Sequence, residues 1–111
     1  MFPVESQGAV DIVSPGVALN HENADELVES IAMGLGEGQP MVVVDMSGVP
    51  LVDSAVLESL LDIQQTLRSK GGAVKLAGLS QLCQDILRAT DVAKHFDTYR
   101  DVKEAVRSFV R

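Results

Sequence analysis

The run Met41-Val-Val-Val-Asp-Met46 limits the possible folds of this chain more than any other segment. Three consecutive valines with no polar alternation describe a strand that is covered on both faces, as in the middle of a sheet. Such a strand is expected to be central. The flanking sequence supplies the cover. Ala24, Leu27, Val28, Ile31, Ala32 and Leu35 recur at helical spacing, one stripe of an amphipathic helix. Gly34, Gly36 and Gly38 with Pro40 are expected to end it, because glycine suits a left-handed cap and proline cannot continue a helix. After the turn-like Ser47 to Pro50, the segment Ser54 to Ser69 carries Leu57, Leu60, Leu61, Ile63 and Leu67, a helix with a broad apolar face.

The rest of the chain repeats this alternation. Ala9 to Ser14 reads as a short strand stopped by Pro15 and Gly16, with an earlier strand around Phe2 to Ser6. Gly71 and Gly72 break the chain before the strand Ala73 to Gly78. Leu79, Leu82, Cys83, Ile86 and Leu87 form a third helical stripe, and Val102, Ala105, Val106, Phe109 and Val110 a fourth. A last edge strand is expected near His95 to Tyr99. Parallel neighbours need crossovers and helices provide them, so the expectation is an α/β domain spanning residues 1 to 111. Its sheet should be mixed and mostly parallel, of four to five strands, with about four helices.

Composition narrows the function. The 111 residues are 46% hydrophobic, enough for a core without metal or disulfide staples. Cys83 is the only cysteine, so no intramolecular disulfide forms and a reducing, cytoplasmic setting is expected. No apolar run approaches the ~20 residues that span a bilayer, and the first residues lack the basic and apolar regions of a secretory signal. A net charge of −7, from 16 acidic against 9 basic side chains, repels phosphate backbones and anionic lipids. Nucleic acid and membrane are therefore not expected as partners, and the basic residues, mostly C-terminal, are interleaved with acids.

The segment Val42 to Ser80 carries Asp45, Ser47, Gly48, Val49, Asp53, Ser54, Leu57, Gly71 and Gly72 in order. This resembles the core of STAS domains, named for sulphate transporters and anti-sigma-factor antagonists. The family pattern is a buried strand, Asp-[Leu/Met]-Ser-Gly-Val, an apolar pair, Asp-Ser-x-Gly-Leu, a helix, then Gly-Gly and a strand. Leu19 to Leu27 is similar to the family's approach to its first helix, with Asn20 where an aspartate is usual; Val56 stands where a glycine is usual. The resemblance implies a STAS-like fold and a non-enzymatic monomer of the anti-sigma factor antagonist type. It implies that Ser54 is phosphorylated by an anti-sigma factor serine kinase and dephosphorylated by a PP2C-type phosphatase, the unmodified form binding the kinase. Asn20, His21, Asp45, Asp53, Ser54, Ala55, Val56 and Leu57 are then the expected partner-binding residues, although a valine at the third position of a helix is also normal where it packs inward, and Val56 adds to a partner surface only if exposed. The same resemblance leaves open a constitutive subunit, as in a stressosome-like scaffold or a lipid-transport ATPase.

The residues themselves support a local switch. If Ser54 opens its helix, its hydroxyl is expected to cap a free backbone N–H, and the helix dipole favours an added phosphate. A phosphoserine carries about −1.5 to −2 charges, and would arrive beside Asp53. Other chemistry has less support. A receiver-like use of Asp45 and Asp53 also wants an acidic pair after the first strand and a lysine after the last, whereas Val10 to Ser14 offers only Asp11, and aspartates at strand ends usually form turns. His21 and His95 have no second metal ligand at helical spacing, so no metal and no cofactor are expected. The glycines at 34, 36 and 38 follow a helix rather than a strand, and no lysine closes a phosphate loop. Cys83 falls on an apolar stripe and reads as core.

Overall fold

The computed structural model describes every residue except Gly34, Glu37 and Arg111. The elements in chain order are β1 (Val4–Gln7), β2 (Val10–Val13), α1 (Ala24–Ala32), β3 (Met41–Asp45), α2 (Ser54–Ser69), β4 (Ala73–Ala77), α3 (Gln81–Ala89), a 3-10 turn (Ala93–His95), β5 (Thr98–Tyr99) and α4 (Val102–Phe109). They build one five-stranded sheet in the order β1-β2-β3-β4-β5. β1 is antiparallel to β2, and every other pair is parallel. The mixed, mostly parallel α/β architecture read from the sequence is the one found, and β3 is its centre.

Three parallel crossovers step in one direction along the sheet, and crossovers of one hand put their helices on one face. Accordingly α1, α2 and α3 share the larger core. Leu27 and Ile31 of α1, Val56, Leu60, Ile63 and Leu67 of α2, and Cys83 and Leu87 of α3 pack on Val13, Val42, Val44, Val74 and Leu76. The opposite face is covered by α4 alone, through Ala105 against Val10, Ile12, Val43 and Ala77. Alternate valines of β3 thus serve different cores, which is why the run cannot alternate with polar residues.

Several boundaries differ from the expectation. α1 ends at Ala32 and is capped at Met33, so Leu35 of the stripe lies beyond the helix, half-buried against the core. Of the glycines expected to end it, Gly34 lies outside the described residues, and Gly38 takes a positive φ of 91°. The last strand is only two residues long, because His95 belongs to the 3-10 turn and buried Phe96 anchors the chain before it pairs. Gly72 is fixed by its surroundings: a Cβ there would run into the Pro40 carbonyl, which accepts the Ala73 N–H at 3.0 Å.

Candidate functional site

At the carboxyl ends of β2 and β3 two loops, residues 14 to 23 and 46 to 53, come together. The Leu19 N–H donates to the Leu51 carbonyl at 3.1 Å and the Asp53 N–H to the Leu19 carbonyl at 3.2 Å, so Leu19 and Val52 form a one-residue parallel bridge. A second contact requires glycine on both sides. Gly16 has φ +66°, and a Cβ on Gly48 would lie 2.9 Å from the Gly16 Cα. The loops are thus pinned to one another before any side chain of the site is placed.

Asp53 then joins them chemically. One carboxylate oxygen accepts the Val56 N–H at 3.0 Å and caps α2, while the other accepts the His21 N–H at 2.8 Å from the opposite loop. The His21 Nδ1 lies 3.6 Å from that second oxygen. The Val56 N–H is the main cause that holds the Asp53 carboxyl below its ordinary 3.8; partial burial opposes it, and the His21 N–H and imidazole add to the lowering. The expected cap is therefore corrected. Asp53, with extended dihedrals, is the N-cap, and Ser54 is the first helical residue. An aspartate and a serine are equally good caps, and here the aspartate reaches the N–H three residues on.

Ser54 is exposed. With Val56 capped and Leu57 bonded to the Asp53 carbonyl, the N–H groups of Ser54 and Ala55 have no acceptor among the described residues. They are two of the four orphan donors of a helix start, set beside an exposed hydroxyl. An anion carried by Ser54 has these donors and the helix dipole available to it.

The other expected residues divide. Asn20 and His21 lie in the loop that Asp53 holds, and the Asn20 Oδ1 accepts the Glu22 N–H at 2.8 Å to form a tight turn. Asp45 is a turn former, as its position at a strand end suggests: its Oδ1 accepts the Ser47 N–H at 3.0 Å. Ala55 is half-buried. Val56 and Leu57, expected at the partner surface, are corrected to core: they are 0% and 4% exposed and pack under the sheet. Their register in α2 points them inward with Leu60, Ile63 and Leu67. In their place, Val17 and Leu51, 48% and 42% exposed, supply apolar area from the two loops. In the sequence they are aliphatic residues directly after Gly16 and Pro50, each followed within two places by a buried one, Leu19 and Val52, from which periodicity does not separate them. No group of three or more His, Cys, Asp or Glu suited to a metal ion is found among the described residues.

Comparison with known proteins places this geometry. No curated relative matches the sequence. Among solved structures, a protein from Thermotoga maritima described as a candidate anti-sigma factor antagonist superposes with a TM-score of 0.90 at 25% identity, over 99% of this chain and 95% of its own. The anti-sigma factor antagonist SpoIIAA in its unphosphorylated form gives 0.79 at 12% identity, over 98% and 96%. The mouse anion transporter Slc26a9 gives 0.73 at 21%, over 92% of this chain but 18% of the transporter. The family profile described as the STAS domain matches residues 2–105, and the chain therefore belongs to the STAS domain family.

Proposed function

We propose that this protein is an anti-sigma factor antagonist that changes partners according to phosphorylation of Ser54. The unmodified form binds an anti-sigma factor serine kinase through Asn20, His21, Asp53, Ser54 and Ala55, with Asp45 at the rim and Val17 and Leu51 as apolar contacts. A PP2C-type phosphatase restores the unmodified form. The observation that carries this reading is an exposed hydroxyl at the first position of α2, beside two unused backbone donors. Those donors favour a phosphate without rearranging the helix, while the added charge and its hydration occupy the docking surface. The likeness to the Thermotoga protein supports the same role.

The test is phosphate transfer from the anti-sigma kinase and ATP, followed by mass spectrometry of the wild type and of Ser54→Ala. Transfer to a peptide containing Ser54, abolished in the variant, is the expected result. Absence of transfer, with Ser54→Ala indistinguishable from wild type in partner pull-down, would support a constitutive subunit instead.

A further inference from the structure

All 9 lysines and arginines lie at Arg68 or beyond, whereas most of the 16 acids precede it. Sheet order follows chain order, so β1, β2, β3, α1 and all but the last turn of α2 carry no Lys or Arg themselves, and α4, with Lys103 and Arg107, packs on the face of β2 and β3 opposite to α1 and α2. A dianion at Ser54 therefore meets no lysine or arginine from its own part of the chain. Two other groups there can carry positive charge. One is the amino terminus, which is held by Glu26 at 2.9 Å. The other is His21.

His21 stands at the switch. Its side chain is 74% exposed, its Nδ1 lies 3.6 Å from an Asp53 oxygen, and its own N–H holds that oxygen at 2.8 Å. Asp53 is covalently next to Ser54, so imidazole and hydroxyl are tethered around one carboxylate. The charged group that the structure sets against the imidazole is the acidic Asp53, and the charged residues next to His21 in the chain, Glu22 and Asp25, are acidic too. None of these carboxylates competes with the imidazole for a phosphate.

We propose that His21 is the counter-ion of phosphorylated Ser54, which makes the charge added to the docking surface depend on pH. This rests on the reading of Ser54 as the modified residue. A phosphate of about −1.5 to −2 charges set beside the imidazole is expected to raise its titration midpoint by about one pH unit over the unmodified protein. Below that midpoint the imidazolium offsets one unit of the phosphate charge. Modification then weakens docking less in mildly acid solution than in alkaline solution.

The experiment follows both histidines by NMR titration in the full chain, with serine or with phosphoserine installed at position 54 during translation. His95, on the far side of α2 where its carbonyl accepts from Gln64 and Arg68, is the internal reference. The expected result is a rise of about one unit for His21 with His95 unmoved. In His21→Gln, which keeps the backbone donor to Asp53 and hence the cap, the phosphorus titration of phosphoserine should move to higher pH. A His21 midpoint that stays in place, or that moves together with His95, overturns the proposal. Because the phosphoserine does not depend on a kinase, failure of the transfer assay alongside a shifted His21 would remove the functional reading and leave the counter-ion standing.

Discussion

At the scale of single residues, function is divided between neighbours with opposite environments. Ser54 is exposed and uncommitted, while Asp53 spends both oxygens on backbone N–H groups and Val56 is sealed in the core. Val56→Gly therefore removes packing and puts glycine in a helix, at a cost of about 3 kcal/mol in urea unfolding, whereas at an exposed position only the glycine cost, under about 1 kcal/mol, would remain. Asp53 makes a prediction about pH. Its folded-state value lies below the ordinary 3.8, so the carboxylate stabilises the fold above that value and the contribution is lost as pH falls through the folded value. Asp53→Asn is expected to lower the melting temperature at neutral pH, with the gap to wild type closing as the pH falls below the ordinary carboxylate value and through the lower folded-state one. A gap independent of pH would show that the carboxylate does not hold the two loops. The sequence located Ser54 correctly at a helix start but not the cap, since Asp-Ser offers two good capping residues and only the backbone geometry chooses.

At the scale of elements, the helices and strands were legible where periodicity was strong and vanished where tertiary contact replaced it. β3 and α2 are read almost residue for residue, because a valine run and a long apolar stripe leave few alternatives. The two-residue β5 leaves the start of β4 without a strand partner, and a side chain takes that place. Gln64, 2% exposed on α2, donates to the Val74 carbonyl at 3.0 Å and accepts the Val74 N–H at 2.7 Å, as a neighbouring strand would. It also donates to the His95 carbonyl at 2.9 Å. No hydrophobic pattern marks a glutamine for the core, so this device was invisible in the sequence. Gln64→Leu keeps the volume and strands those backbone groups, and should cost about 2 to 4 kcal/mol in urea unfolding. A near-neutral result would mean that water replaces the amide at the β4 edge.

At the scale of the whole molecule, charge is divided along the chain: every lysine and arginine lies at Arg68 or beyond, whereas most of the acids precede it. Ser54 sits in the acidic part. One phosphate adds about −1.5 to −2 charges to a chain already at −7, and its effect on docking is expected to be strongest at the contact itself, where the charge is desolvated. Salt is expected to change the association rate of both forms alike, while phosphorylation mainly speeds dissociation. Stopped-flow association and dissociation rates at several ionic strengths would separate the two, and a phosphate effect confined to the association rate would argue for long-range repulsion instead. The most direct test of the central claim is calorimetric titration of the anti-sigma kinase with the unmodified chain and with the chain carrying phosphoserine at 54. The account predicts at least a hundredfold weaker binding after modification, since like charge within an interface costs several kcal/mol; equal affinity of the two forms would contradict it.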